Sequence, residues 1–515
     1  MISSAVGSDR VSRVVGYKLK KGFFNTSSPN LPQRIAILGM PNTANETNLD
    51  TTPYDAVSLD AVGKKYGYGS QIHNIMRILR PQGNDGVGGI PTVIYPQTAA
   101  GGATNTVITA TITLSTTATD NATHYAVING RDNVDGIPYA ISVVKGDTPA
   151  LLYAKYKAAI NAVPGSPVVA TNGGSLGSET SLILTSKWKG ATSAELVLRF
   201  DDNNNDCGIT YSHTQVAGIG AADISAALTA FGGSWNTIVI NPYGSATHAT
   251  LETANGVPDP DLPTGRYGAT IFKPFIAIWG STEDTAATLA AITDASGRKT
   301  QVTNALAPAP NSEGFSWEAA SNMAFLFAKM SQDFPHLDIS GKSYPDMPVP
   351  VNGAIGDMSD YNQRDYLVKA GCSTVDLVAG VYQVMDFVTT YHPDGELPPA
   401  FRYPHNLMLD FNVRYGYFLL EQAFVIGKTI TNDNQSVNVA NVIKPKDWKQ
   451  QLRSYSDDLA SRALSADADF MKNSITVGIS STNPDRFETF FRYKRTGTVR
   501  IASTDAEAGF NFGSN

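Results

Sequence analysis

Four short apolar runs constrain this chain more than any other feature: "RIAILGM" at 34–40, "IPTVIYPQ" at 90–97, "WNTIVINPY" at 235–243 and "IFKPFIAIWG" at 271–280. Each reads as a core strand, because the apolar residues run on without the polar alternation of a half-exposed strand. Helical segments lie between and after the later runs: "ADISAALTAFG", "SATHATLETANG", "TEDTAATLAAIT" and "SWEAASNMAFLFAKM". The last is apolar on most faces and is expected to be deeply packed. Strand–helix alternation of this kind predicts a layered α/β core within a multidomain α/β (α+β) protein.

A different texture interrupts that core. "TVITATITLS" sets Ile108, Ala110, Ile112 and Leu114 on one side and mostly threonines on the other, the pattern of a half-exposed strand. "THYAVING", "IPYAISVVKGD", "SPVVATN", "SLILTSKW" and "AELVLRF" continue the strand-rich reading around one helix, "TPALLYAKYKAAINAVP". Both ends of the stretch return to core-like sequence, so residues 102–213 read as an inserted β-rich domain. Few charges and half-exposed strands predict a module that folds alone, whose removal leaves the core folded. Taken alone, its threonine-rich strands would also suit a carbohydrate-binding domain of a surface or adhesion protein.

The chain has 515 residues, beyond the usual reach of one hydrophobic core. Charged residues make up 17%, below the ordinary level of about 25%, and the surface should be built largely from neutral polar groups. A formal net charge of −7 argues against a general nucleic-acid binder. Cys207 and Cys372 are too few and too far apart for a disulfide framework or a metal pair. No apolar run reaches the eighteen residues or so of a membrane span, and the start carries no long apolar signal segment. The expectation is no direct nucleic-acid binding and no membrane insertion.

"YGYGSQIHNIMRILR" at Tyr66–Arg80 raises the one phosphate-site question. A phosphate loop needs a Gly-Lys-Ser/Thr end, and here Gly69-Ser70 runs into Gln71. Ile72, Ile75, Met76 and Leu79 follow helical spacing, so the segment reads as a core packing helix capped by Ser70, with His73 on its polar face. "DDNNND" at 201–206 lacks the central glycine and terminal glutamate of a calcium loop and reads as a solvent-facing turn. None of the seven histidines has zinc-site spacing, and GxSxG is absent. No catalytic residue, metal ligand or cofactor is expected.

The C-terminal third predicts two helices. One covers about 407–425, with Phe411, Tyr415, Phe418 and Leu419 along one side; the other begins near Pro445, with Trp448, Leu452, Tyr455 and Leu459 in register. "FFRYKRTGTVR" could stack nucleic-acid bases but fits an edge strand or protein interface better. "GTVRIAS" places Val499 and Ile501 on one side and Thr498 and Arg500 on the other. Near the other end, Val14 and Val15 lie in the short apolar piece "VVGYKL". Both ends can therefore offer unpaired strands, for which pairing with another chain is one form of protection.

Five segments in order resemble contractile tail sheath proteins, especially those of Mu-like bacteriophages. They are "AVSLDAVGKKYGYGSQIHNIMRIL", "IPTVIYPQTAAGGATNTVITATITL", "SLILTSKWKGATSAELVLRF", "VAGIGAADISAALTAFGGSWNTIVINPY" and "RDYLVKAGCSTVDLV". The resemblance implies a non-enzymatic subunit that stacks as six-fold rings around an inner tail tube, with baseplate and tail terminator proteins as further partners. It implies contraction that drives the tube through the host envelope, and a place in the phage tail of the virion after assembly in the host cytoplasm. Carried onto this chain, 1–31 and 495–515 become linking arms that exchange strands between subunits, through Val14, Val15, Val499 and Ile501. Residues 32–101 and 214–355 become the sheath core, 102–213 the outer decoration, and 356–494 the domain facing the tube.

Overall fold

The computed structural model describes residues 29–509 other than 84, 85, 260, 296, 397 and 398. The four apolar runs become neighbouring strands of a six-stranded sheet, in the order Asn304–Pro308, Ile276–Ser281, Ile238–Asn241, Ile35–Gly39, Thr92–Pro96 and Tyr54–Asp55. The first five are parallel and the short last strand is antiparallel. Ile37 sits in register with Ile240 on one side and Ile94 on the other.

Side-chain alternation divides this sheet between two cores. Ile35, Ile37, Ile94, Ile238, Ile240, Ile276 and Ile278 pack on one face. Ala36, Leu38, Val93, Tyr95, Val239 and Ala277 pack on the other, against Ile224, Ala227 and Leu251. Burial on both faces is why these strands carry apolar residues without interruption. The helix Ser316–Asp333 crosses the first face with Trp317, Ala320, Met323, Ala324 and Phe327 buried. The helix Gln71–Leu79 packs on the same core.

The inserted module has two antiparallel sheets and one helix. One sheet runs in the order Thr210–Val216, Asn105–Thr113, Ser178–Lys189, Val168–Ser175. The other runs Leu198–Asp201, Ala122–Ile128, Ala140–Val143. The helix is Pro149–Asn161; Thr148 caps it by accepting from the Leu151 amide at 3.3 Å, and Pro149 opens it where no backbone donor is missed. Ile108, Ala110 and Ile112 are buried, while Thr111 and Thr113 face water. The last strand continues past 213 to Val216.

That module is docked through buried groups. Trp188 lies edge-on to Trp317, with ring centroids 5.9 Å apart, and Phe315 stacks on Trp317 at 4.9 Å. Arg131, Arg77, Glu318 and Asp346 form one ionic cluster, in which Arg131 and Arg77 each reach both carboxylates. Removing the module, which the sequence predicts the core survives, would bare two aromatic rings and leave Glu318, 3% exposed, with Arg77 at 3.8 Å as its remaining guanidinium.

A second compact unit contains Asn30 and Gly416–Lys494. Its core is Ile443, Trp448, Leu452 and Ile475, joined by Tyr417, Leu420, Phe424 and Phe491. Trp448, Leu452, Tyr455 and Leu459 lie buried along the helix Pro445–Ser461. The helix Pro404–Phe424 differs from its expected single apolar side, since Phe411 is buried but Phe418 is 42% exposed. The reason is that its first half packs in one unit and its second half in the other, so no one stripe runs along its length. This unit ends in a hairpin, Thr476–Ile479 paired with Phe487–Phe490. Among the described residues no third strand joins it.

Candidate assembly segment and its anchors

In a parallel sheet the first place to seek a ligand is the crevice beyond the carboxyl ends of the strands. A cleft of about 600 Å³ lies there, lined by Tyr243, Trp279, Ser281 and Ser316. The donors an anion would use are already occupied. Glu195 of the inserted module accepts from the Ser316 amide at 2.7 Å and the Ser316 hydroxyl at 2.8 Å. Glu318 accepts from the Phe315 amide at 3.2 Å. Burial raises the Glu195 carboxyl above its usual range, and the two Ser316 bonds offset this only in part. The cleft's helix terminus is thus a docking point for the protein's own module.

The Gly-Ser entry has the same kind of role. Ser70 accepts from the His73 amide at 3.1 Å and caps the helix. Gly69 has φ +76°, and a Cβ there would lie 1.9 Å from the Ser166 carbonyl oxygen of the inserted module. Lys187 ties the two sides, donating to the carbonyls of Tyr68 at 2.9 Å and Pro164 at 3.0 Å. Ile72, Ile75, Met76 and Leu79 are all fully buried. His73 is not on a polar face as its sequence position suggested; it is 2% exposed because the module covers that side. Burial, then the charges of Arg77 and Lys187, lower its pKa to about 4.

The remaining site residues belong to the chain ends. Val14 and Val15 lie outside the described residues. Val499 and Ile501 lie in a stretch after Lys494 that belongs to no strand or helix among the described residues, and each is 86% exposed. Two arginines fix this stretch. Arg495 clasps Asp410 with Nε–Oδ1 at 2.8 Å and Nη2–Oδ2 at 2.5 Å, and donates to the Ala400 carbonyl at 2.8 Å. Arg500 pairs with Asp338 and, at 3.2 Å, with Asp386, while its guanidinium lies 3.8 Å from the centre of the Tyr403 ring.

Twin hydrogen bonds to a carboxylate and stacking on an aromatic face are contacts a guanidinium makes better than an ammonium. The carboxylates are themselves held in place. Asp338 accepts from the Ile339 amide at 2.8 Å and the Ser340 hydroxyl at 2.6 Å, and Asp386 accepts from Thr374 at 3.0 Å. His405 completes the site. Read from sequence as a loop residue, it lies in the first turn of the Pro404–Phe424 helix and is 3% exposed. Its Nδ1 is 4.0 Å from Asp338, and its Nε2 is 3.5 Å from the Thr498 hydroxyl.

Arg500 and Thr498 thus face the body, and Val499 and Ile501 face water. The sequence showed this alternation but not the anchors, because Asp338 is 162 residues from Arg500. The available signal was an arginine on the polar side of a short β-branched run.

Several solved structures align along most of this chain at low similarity. A sheath tail protein of Desulfitobacterium hafniense aligns over 92% of this chain and 100% of its own, at 12% identity and a TM-score of 0.41. A sheath tail protein of Listeria innocua aligns over 92% and 94%, at 11% identity and a TM-score of 0.44. A chain of the anti-feeding prophage baseplate in its contracted state aligns over 96% and 99%, at 10% identity and a TM-score of 0.43. Scores this low assign neither fold nor function to this chain. No protein-family profile matches it, and none of the curated proteins does.

Proposed function

We propose that the chain is a structural subunit of a contractile tail sheath, nearest in kind to those of Mu-like bacteriophages, and that it works without catalysis or cofactor. Copies polymerise as stacked six-fold rings around an inner tail tube and meet baseplate and terminator proteins at the ends. Contraction drives the tube through the host envelope. The subunit is assembled in the host cytoplasm and resides in the phage tail. Residues 1–31 and 495–515 act as linking arms, 102–213 with the rest of its last strand faces outward, and 356–494 faces the tube.

The observation that carries this reading is the anchored C-terminal stretch. A short β-branched segment gains nothing by holding Val499 and Ile501 in water. It gains backbone bonds and burial when a neighbour's strand pairs with it. The two-stranded hairpin Thr476–Ile479/Phe487–Phe490 supports the reading as an acceptor, since two strands alone are marginal and Phe490 is 52% exposed. The ordered sequence resemblance points the same way. Energy for contraction is then stored as the difference between two packings of one protein. Negative-stain electron microscopy of purified full-length protein after long incubation is expected to display tubes or rings. A strictly monomeric protein across varied salt and pH would overturn the proposal.

A further inference from the structure

We infer that the cavity between the Gly-Ser helix entry and the inserted module is a binding site for a neutral saccharide. The sheath proposal assigns this cavity nothing, and the inference stands without it. The cavity has a volume of about 540 Å³, inside the range of roughly 300–1,000 Å³ usual for small-ligand sites. Asp60, Tyr68 and His73 line it from the core, and Val134, Asp135 and Gly165 line it from the module.

Its floor holds a buried donor. His73 is 2% exposed. The Gly69 amide donates to its Nδ1 at 3.3 Å, which puts the ring proton on Nε2. Among the described residues Nε2 has no hydrogen-bond partner. The Cε1 edge of the ring lies 4.0 Å from where a Cβ of Gly165 would sit, so the missing side chain leaves that edge open to the cavity. A donor held this far from bulk water favours a ligand that brings it an acceptor.

An acceptor for the same ligand stands beside it. Asp135 has φ +54° in the turn between Val134 and Ile137, and its Oδ2 lies 3.3 Å from the same Gly165 Cβ position. Its carboxylate takes no hydrogen bond among the described residues. Asp60 accepts from the Tyr68 hydroxyl at 2.5 Å, which holds the Tyr68 ring edge-on to His73 with centroids 5.3 Å apart.

The charges select against ionic ligands. Asp60 and Asp135 disfavour an anion. Arg77 and Lys187 beside His73 disfavour a cation at the floor; burial first, and then these two charges, lower the His73 pKa to about 4, so its Nε2–H is a neutral donor. What remains is a neutral ligand that donates and accepts together, and a sugar hydroxyl does both. Val57 and Ile137, 75% and 40% exposed at the rim, offer apolar surface to the C–H face of the ring.

The test is saturation-transfer NMR on the full-length chain. The probes are neutral mono- and trisaccharides of glucose, galactose, mannose and N-acetylglucosamine, with citrate and the tripeptide Gly-Lys-Gly as charged controls. At least one saccharide is expected to bind, and both controls to fail. Gly165→Leu fills the floor and should abolish the signal. Asp135→Gly removes the carboxylate at a turn position that glycine favours, and should weaken binding about tenfold or more. The second variant carries the test if the first does not fold. No binding by any of these saccharides overturns the inference, and so does binding undiminished in either folded variant. Displacement of the saccharide by citrate or Gly-Lys-Gly overturns it as well.

Discussion

Arg131 Nη1 lies 3.0 and 2.8 Å from the two carboxylate oxygens of Glu318, joining a turn of the inserted module to the first turn of the core's long helix across 187 residues of sequence. Glu318 is 3% exposed, and Arg77 and Asp346 complete the cluster. Removing one partner of such a cluster leaves an uncompensated buried charge. Arg131→Met should lower stability by about 3–5 kcal/mol, measured by urea unfolding. Lys64→Met, which breaks an exposed, solvent-screened pair with Asp60, should leave the unfolding midpoint close to that of the unaltered chain. Equal losses in the two variants would contradict the latch.

Gly69 and Gly83 make a second comparison. Both have positive φ, +76° and +78°, but a Cβ at Gly69 would meet the Ser166 carbonyl oxygen and one at Gly83 would meet nothing within 4 Å among the described residues. Gly83→Ala should cost only the backbone strain, about 1 kcal/mol. Gly69→Ala should cost about 3 kcal/mol or more, because a module strand connection must also move away from the helix entry. Thermal unfolding of the two variants checks the ordering, and a smaller loss at Gly69 would refute the close approach.

Much of this architecture was legible in sequence, for a physical reason. The strands Ile35–Gly39, Thr92–Pro96, Ile238–Asn241 and Ile276–Ser281 are covered on both faces, so their apolar runs are unbroken. Ile72, Ile75, Met76 and Leu79 announced their helix by period. What stayed hidden was whatever a distant segment decides. All nine residues of the Gln71–Leu79 helix are buried, and the polar ones meet distant partners: Gln71 accepts from the Met40 amide, Arg77 pairs with Asp346 and Glu318, and His73 lies against the module near Gly165. Glu195 meets Ser316 across 121 residues, and Arg500 meets Asp338 across 162. No local pattern encodes those partners.

Acid should loosen the C-terminal stretch. His405 is faced by Asp338, Arg500, Arg495, Tyr403 and Thr498. Burial holds its pKa down at about 4 against the ordinary 6.5; Asp338 pulls the other way, and Arg500 and Arg495 add smaller lowering effects. When the stretch leaves, the arginines leave with it and the pKa rises. The released state therefore binds more protons, so anchoring is full above about pH 6.5 and declines as the pH falls toward 4. Within that window the loss should grow as the pH falls, by at most about tenfold per pH unit. Hydrogen exchange of residues 495–503 at pH 7 and pH 5, corrected for intrinsic rates, measures it. His405→Gln should flatten the dependence. A dependence that persists undiminished in His405→Gln would assign it to another group.

In the proposed sheath, Val499 and Ile501 build the assembly rather than the fold. The direct measurement is negative-stain electron microscopy of the full-length chain beside its Val499→Ser/Ile501→Ser variant, with circular dichroism on both. Both side chains are 86% exposed, so the variant should keep the unaltered spectrum and unfolding temperature. The unaltered chain should form regular tubes or rings, and the variant should remain dispersed. Ordered tubes from the variant, at the same concentration and incubation, would show that assembly does not run through Val499 and Ile501.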